Sequence, residues 1–356
     1  MNKISKNLLK VFAVAGLIFP TLTSCDDNII YDNLEPCNIG VRLRFVYDYN
    51  MEYANAFPSQ VDCINVFFYD ENGNFVTARE VTGEVLADEN YRMIVDLEPG
   101  NYDIVVYGGT NSAHTSFTFA DFPGQESTFT DRNISLKDEM VGEELHPLFY
   151  GTVDFTCDEW DLDYRDKTVY LMRDTNSIRV HLQQVDGEPM FEDMFDFNIL
   201  ADNTHFQYDN KVVLQGAQTI FNPWFRNNQN PGFNPDGSQL WVCQAEFSVP
   251  RLVWDKNELV GLTRANVADG YEGQPWLKIN YKADNRNVVD IPLLPYLLMC
   301  KPEHSNSVQS PNITDQEFLD RENRYDLFFF LDKHYNWIYV EIRVLDWVVR
   351  VNNVQM

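Results

Sequence analysis

The feature that most constrains this fold is an alternation of apolar and polar residues that recurs along most of the chain. Residues 41–49 are a clear case, because apolar side chains at the odd positions alternate with mostly polar ones between them. A period of two predicts a strand with one buried face. Further segments of this kind are joined by turn residues such as Asn72-Gly73, and only residues 315–326 suggest a short helix. We therefore predict an all-β protein built from β-sandwiches.

The chain length predicts two domains, because 356 residues exceed what one ordinary hydrophobic core organises. The alternating pattern stops and restarts near residues 173–176. We place the boundary there, with an N-terminal β-sandwich domain at residues 38–173 and a C-terminal one at residues 174–356. No Pro/Gly/Ser-rich linker separates them, so we expect the two domains to pack closely.

The first 24 residues are typical of an export signal. A lysine-containing start precedes an apolar stretch that is well short of the roughly 20 residues of a membrane-spanning helix. The stretch ends in Leu22-Thr23-Ser24-Cys25, which resembles the lipobox of bacterial lipoproteins. We expect residues 1–24 to be removed, Cys25 to carry acyl chains as a membrane anchor, and residues 25–37 to form a linker. The alternative is an ordinary signal peptide followed by a buried or disulfide-bonded Cys25.

The acidic composition bears on sorting and on partners. Asp26 and Asp27 resemble the acidic tract that follows the lipid-bearing cysteine in Bacteroidota lipoproteins sent to the cell surface, although a solvated linker would look the same. The formal net charge of the chain is −27. So acidic a surface repels phosphate groups, and we expect no nucleic-acid partner.

The six cysteines lack a metal-binding or redox spacing, since no two of them form a C-x-x-C pair. Cys37 and Cys63 lie on neighbouring predicted strands and are the best candidates for a disulfide. Free buried thiols are the other interpretation of the same residues.

The sequence carries no recognisable catalytic motif. H-E-x-x-H, G-x-S-x-G and the phosphate-binding G-x-x-x-x-G-K-[ST] are all absent, and the six histidines are scattered. The acidic residues clustered at 158–166 are more typical of a solvated loop than of a metal site. We expect no enzyme activity, no cofactor and no metal.

A series of short segments follows Cys25 along most of the chain. In chain order they are Tyr31-Asp32, Leu34, Cys37, Tyr49-Asn50-Met51, Ala56-Phe57, Val61-Asp62 and Tyr69-Asp70, then LEPGNYDIVVYGG at 97–109, LFYG at 148–151, LMRDTNSIRVHL at 171–182, IPLLPYLL at 291–298 and DWVVR at 346–350. Together they resemble the fimbrial anchor-subunit family of Bacteroidota type V pili, and residues 30–76 resemble its opening. Tyr107 stands where many members carry tryptophan.

The resemblance implies two tandem transthyretin-like β-sandwich domains with Greek-key topology. It also implies a surface-exposed lipoprotein of the outer membrane that holds the base of a fimbrium and limits the growth of its stalk. The implied partner is the major stalk subunit. In such pili a strand of one subunit completes the sheet of a neighbour, so backbone hydrogen bonds supply affinity and alternating side chains supply register.

The end of the chain changes its alternating phase. Ile338, Val340 and Ile342 share one parity, whereas Trp347, Val349 and Val351 share the other. We interpret this as two strands, 337–345 and 347–354, with a single bulged strand as the alternative. Together with the assembly mode of the family, this predicts 347–354 as the exchangeable donor strand, with Trp347, Val349 and Val351 as its anchors.

A second function from another class stays open, namely a surface glycan-binding or adhesin lipoprotein. Its candidate platform is the segment 221–237, which carries Trp224, Phe225 and Phe233. The alternative for this segment is a long loop whose aromatic rings fold back onto the protein.

Overall fold

The computed structural model of the protein describes residues 39–110, 114–233, 237–261, 274–301, 313–344 and 347–352. The predicted leader and linker, including Cys25, Asp26, Asp27 and Cys37, lie outside these residues. Within the described residues the chain forms 23 strands and three short α-helices. None of those helices combines the length and the apolar character needed to cross a membrane.

The elements follow one another in the order in which they are numbered. The strands up to residue 173 are β1 (Gly40–Val46), β2 (Cys63–Asp70), β3 (Phe75–Thr82), β4 (Met93–Asp96), β5 (Gly100–Gly108), β6 (Phe117–Phe119), β7 (Ile134–Leu136), β8 (Phe149–Cys157), β9 (Arg165–Tyr170) and β10 (Met172–Arg173). The later strands are β11 (Thr175–Gln184), β12 (Phe195–Ala201), β13 (His205–Phe206), β14 (Val212–Val213), β15 (Thr219–Phe221), β16 (Phe225–Phe233), β17 (Gln239–Pro250), β18 (Leu259–Val260), β19 (Trp276–Tyr281), β20 (Arg286–Pro292), β21 (Arg324–Leu331), β22 (Trp337–Val344) and β23 (Trp347–Asn352). The helices are α1 (Phe57–Gln60), α2 (Leu293–Leu298) and α3 (Asp315–Arg321).

The N-terminal half is a sandwich of two sheets. One has the strand order β4-β1-β9, and the other has the order β10-β8-β5-β2-β3. Alternation buries Val41, Leu43 and Phe45 of β1 against residues such as Val66 and Val106 of the larger sheet. The apolar side chains that alternate in the sequence of β1 therefore form part of the core between these two sheets, as a period of two predicts.

The C-terminal half pairs a six-stranded sheet with a four-stranded one. The six strands have the order β16-β17-β11-β21-β22-β23, and the four have the order β15-β12-β19-β20. The central strand β11 runs antiparallel to β17 and parallel to β21. Its residues Ile178, Val180 and Leu182 are fully buried, as are Phe195 and Ile199 of the facing sheet.

A fifth sheet joins the two halves. Its strand order is β18-β14-β13-β7-β6, so β7 of the N-terminal half pairs with β13 of the C-terminal half. The register sets His205 opposite Ser135 and Phe206 opposite Ile134. One hydrophobic core also continues from the outer face of β2 and β5 into the C-terminal half. The predicted boundary falls at Asp174, between β10 and β11, and the division into two domains stays a prediction.

The predicted all-β sandwich fold is confirmed, with local differences. The sequence of residues 127–136 is also typical of one strand, but only 134–136 form a strand. Thr128 makes an isolated bridge with Asn74, and the Thr128 and Asp131 side chains form a capping box around a 3₁₀ turn. Segment 221–237 contains the long strand β16 where a loop was considered. The helix α2 was not predicted, and it tolerates Pro295 because that residue lies in its first turn.

Candidate assembly surface

The end of the described chain is a β-hairpin at the rim of the six-stranded sheet. β22 pairs with β21 on one side and with β23 on the other, both antiparallel. Val344 lies opposite Trp347, so residues 345 and 346, which lie outside the described residues, connect the two strands. The predicted strands 337–345 and 347–354 thus correspond to β22 and β23. Residues 345, 353 and 354 of the predicted ranges lie outside the described residues.

The hairpin explains the change of phase in the sequence. Directly opposed residues in an antiparallel pair share one face of the sheet. The register pairs Val340 with Val351, Ile342 with Val349 and Val344 with Trp347. The two apolar sets therefore occupy positions on one face, which is the face of the buried Val340. Reversal of the chain, rather than a bulge, absorbs the shift.

β23 is an edge strand at its position in the sheet. Its pairing with β22 is its one strand pairing among the described residues. An edge strand presents a row of backbone donors and acceptors that another chain can pair with. The other edge strand of the same sheet is β16. Of the two edge strands, only β23 is the last described strand in the sequence.

The proposed aromatic platform does not form one surface. Phe233 is 75% exposed and Phe225 is 39% exposed, whereas Trp224 is half-buried beside Phe225. Phe225 and Phe233 are separated by the length of β16, on the order of 25 Å at the rise of a strand. A bulge between Gln229 and Gly232 also shifts the register of β16. Two rings so far apart cannot stack on adjacent sugars.

A polar cleft of about 810 Å³ lies where the two halves meet. Lys137 and Glu139 line it from the N-terminal half, and Thr204, His205 and Gln215 line it from the C-terminal half. Most of the lining residues carry hydroxyl, amide or charged groups, Leu136, Val141 and Ala217 are apolar, and the imidazole of His205 is the one ring among them. Such a lining suits a hydrated groove better than an apolar ligand pocket.

A buried charge network lies beside the junction of the halves. The Arg251 guanidinium donates two hydrogen bonds to the Asp320 carboxylate, at 2.8 and 2.9 Å. Asp174 accepts from the Asn210 amide at 3.0 Å, and its nearer oxygen lies 4.0 Å from the Arg251 Nε. Burial raises the pKa of Asp174 to about 7, and Arg251 opposes that shift only in part. The reason is that Arg251 is already neutralised by Asp320.

Besides the pairing of β7 with β13, an aromatic contact joins the two halves. The Arg321 guanidinium, at the end of α3, lies 4.1 Å from the ring centre of Tyr49 and 4.8 Å from that of Tyr53. Asn50 shapes the loop that carries both rings, because its amide donates to the carbonyl oxygens of Tyr47 and Ala54. A cation held between two rings ties the C-terminal half to this loop of the N-terminal half.

The structure brings together one group that sequence reasoning missed. The ligand-type atoms of Asp62, Cys63 and His146 lie within 4.8 Å of one another. Cys63 is buried, as are Cys157, Cys243 and Cys300. The predicted Cys37–Cys63 disulfide stays a prediction, since Cys37 lies outside the described residues.

The stretch 70–74 is a hairpin turn, as the turn residues Asn72-Gly73 predicted. The Asp70 carboxylate accepts hydrogen bonds from the backbone N–H groups of Asn72 and Asn74, at 2.8 and 2.9 Å. Gly73 has a φ of +77°, which a tight turn requires. The acidic loop at 158–166 is largely exposed, and Arg165 forms ion pairs with Asp158 and Asp161 inside it.

The fold and the edge strands define the class of the protein, which is an all-β sandwich protein whose six-stranded sheet ends in the edge strands β16 and β23. The chain belongs to the family of fimbrillin-A associated anchor proteins Mfa1 and Mfa2, whose model matches residues 34–353. The predicted resemblance to a fimbrial anchor family is therefore confirmed. This family is a structural one and not a family of enzymes.

Several solved structures are similar to the chain. A candidate adhesin from Bacteroides thetaiotaomicron is 40% identical, with a TM-score of 0.76, over 90% of this chain and 100% of that one. A protein from the same species, described as a candidate polysaccharide-binding protein, is 26% identical, with a TM-score of 0.68, over 89% and 99%. The fimbrial anchor protein Mfa2 from Porphyromonas gingivalis shares the fold at 17% identity and a TM-score of 0.59, over 88% and 99%.

A comparison with curated proteins found no match. The family and the solved structures support a fimbrial anchor or adhesin-like role associated with the cell surface.

Proposed function

We propose that the protein is the anchor, or minor, subunit of a type V fimbrium. Acyl chains on Cys25 hold it on the outer membrane, with Asp26 and Asp27 directing it to the cell surface. Its C-terminal strand pairs with the major stalk subunit, which fixes the stalk to the cell and limits its length. The observation that carries the proposal is that the last described strand, β23, lies at the rim of a sheet.

Strand exchange is physically accessible at this edge. Moving β23 out breaks six register pairs with β22 but disturbs no other strand pairing among the described residues. The lost backbone hydrogen bonds are regained in the sheet of the partner. Trp347, Val349 and Val351 stand at alternating positions, so they would enter pockets on one face of that sheet.

A reversible lock tests the exchange. Val340 and Val351 are directly opposed, so Val340→Cys combined with Val351→Cys allows a disulfide that holds β23 on β22. We expect the oxidised double variant to lose capture of the stalk subunit and to regain it on reduction. The two single variants serve as controls. Equal capture by the oxidised and the reduced double variant would refute the donor role of β23.

A second test separates the anchor positions from their neighbours. Val351→Ser is expected to weaken capture of the stalk subunit, because it removes an apolar anchor from the side that enters the partner. Arg350→Ser, one position along on the other face, is the matched control and is expected to have a small effect. Deletion of residues 346–356 should abolish capture. Unchanged capture by the deletion variant, with an intact fold, contradicts the proposal.

The lipid anchor has its own test. Cys25→Ala should eliminate acylation, release the protein from cells and cause fimbriae to be shed. Mass spectrometry of the mature N-terminus and fractionation of the envelope measure the first two outcomes. Cells that retain both the protein and the fimbriae would rule out anchoring through Cys25.

Glycan binding is the second candidate, and one observation favours it. Phe233 is among the most exposed aromatic side chains of the described residues, and one similar structure is described as polysaccharide-binding. Sugar faces stack on such rings. Binding to a polysaccharide panel that is lost in Phe233→Ala and retained in Phe225→Ala would support this function. No binding to any member of the panel would exclude it.

A further inference from the structure

Three side chains with metal-ligating atoms meet at one end of β2. Asp62 precedes the strand, Cys63 begins it, and His146 lies in the segment before β8. The His146 Nε2 lies 3.1 Å from the Asp62 Oδ1, and the Cys63 Sγ lies within 4.8 Å of both ligand atoms. A carboxylate, a thiol and an imidazole thus converge from two distant parts of the chain.

The backbone holds each of these residues in place. The Ser116 Oγ accepts a hydrogen bond from the His146 N–H at 2.8 Å, and Ser116 is fully buried. The Cys63 carbonyl oxygen accepts from the Gly109 N–H at 3.1 Å, and the Asp62 carbonyl oxygen accepts from the Gly83 N–H at 2.8 Å. The three side chains therefore stand on fixed supports, which a metal site needs.

A close backbone approach brings the His146 segment to β2. Gly109 has a φ of +80°, and a Cβ at that residue would collide with the Pro147 carbonyl oxygen. Glycine lets the two chains come this near. The close approach of Gly109 to Pro147 places the His146 imidazole beside Asp62. The cluster therefore depends on a backbone conformation at Gly109 that favours glycine.

We propose that Asp62, Cys63 and His146 bind a zinc ion, with water as the fourth ligand. This donor set of nitrogen, sulfur and oxygen is the one that Zn²⁺ takes. Bonds of about 2.0–2.3 Å in a tetrahedral site place ligand atoms roughly 3.3–3.8 Å apart. The distance of 3.1 Å between the Asp62 Oδ1 and the His146 Nε2 is already near that range. The Cys63 Sγ lies within 4.8 Å of both atoms, so a shift of the sulfur by about 1 Å brings it into the same range.

The metal has an entry path and a consequence. Asp62 is exposed, and His146 lines an open pocket of about 540 Å³ together with His114 and Glu144, so solvent reaches two of the three ligands. Zinc would link the start of β2 to the segment before β8. It binds the thiolate and the neutral imidazole, so its affinity falls as the pH drops. The site is separate from β23 and independent of the anchor role.

The test uses the mature chain, stripped of metal and kept reduced, with Co²⁺ as a spectroscopic probe. We expect a thiolate-to-cobalt charge-transfer band that persists in Cys157→Ser, a buried cysteine of the same half. The band should vanish in Cys63→Ser. His146→Gln, which removes a ligand, should weaken binding by at least about tenfold, because loss of an outer-shell partner alone costs about 10–100-fold.

Thermal unfolding supplies an independent measurement. At one fixed Zn²⁺ concentration, the Tm of the wild type and of Cys157→Ser should rise by the same amount, and the Tm of His146→Gln should rise by less. His146→Gln changes a partly exposed residue, so it keeps the test informative if Cys63→Ser fails to fold. The proposal is overturned if the wild type shows no charge-transfer band, if the Tm shift is the same in all variants, or if the native protein contains a Cys37–Cys63 disulfide.

Discussion

Asp174 is expected to make the protein less stable as the pH rises from 5 to 8. The residue is fully buried, one carboxylate oxygen accepts from Asn210, and the other finds no hydrogen-bond partner within the part of the chain that the structure describes. Its pKa is raised from 3.8 to about 7, chiefly by burial. Because the folded state holds the proton more tightly than the unfolded state, the free energy of unfolding falls as the pH rises between those two values.

The magnitude follows from the size of the pKa shift. Each pH unit over which only the folded state is protonated costs about 1.4 kcal/mol. From pH 5 to pH 8 the wild type should therefore lose about 3 kcal/mol through Asp174. Asp174→Asn mimics the protonated acid and leaves Arg251 paired with Asp320. We expect the variant to match the wild type near pH 5 and to be more stable by about 3 kcal/mol at pH 8.

Urea unfolding at several pH values between 5 and 8 measures this difference, with the native fold checked by circular dichroism. Asp320→Asn is the matched control on the same arginine. It removes the bidentate partner of Arg251 and should destabilise the protein by about 3–5 kcal/mol. A difference between Asp174→Asn and the wild type that stays constant across this pH range would refute the reasoning.

Three further predictions concern local structure. Gly109→Ala should lower the Tm strongly because its Cβ meets a carbonyl oxygen, whereas Gly83→Ala, with open space around it, should cost only the backbone strain of its glycine-type conformation, about 1–3 kcal/mol; equal losses would contradict this. Arg321→Ala removes the cation above the Tyr49 ring and should lower the free energy of unfolding by about 1–2 kcal/mol; an unchanged denaturation midpoint would contradict it. Backbone hydrogen bonding lowers the pKa of Asp70, so a carboxyl NMR titration should give a midpoint below the ordinary aspartate value, and a midpoint at or above it would oppose this assignment.

Much of the fold was predictable because strand periodicity is a local signal. The apolar run CINVFFYD at 63–70 predicts a strand with the bounds of β2, and β1 shows the buried alternation predicted from residues 41–49. The errors arose where side chains compete with strand pairing, as Thr128 and Asp131 do around their turn. The sequence also indicated two strands at the end of the chain. Their pairing as a hairpin could not be derived, because phase alone does not separate a reversal of the chain from a bulge.

The clusters between distant segments were beyond local reasoning. Cys63 and His146 lack a recognisable spacing, and only the packing of β2 against the segment before β8 brings them together. In the same way, Arg251 and Asp320 meet because the fold brings the residue that follows β17 next to α3. A single sequence carries periodicity and turn signals, but it does not give the pairings that set such distances.

The sheet that combines β6 and β7 with β13, β14 and β18 has a mechanical consequence. If a flexible linker joined the two halves, a pulling force would separate them and unfold them one after the other. Here strand pairing and a continuous core couple them, so a pull on one end meets a single stiff body. We expect heat to melt the molecule in one cooperative transition, and stretching in an optical trap to give one major rupture rather than two.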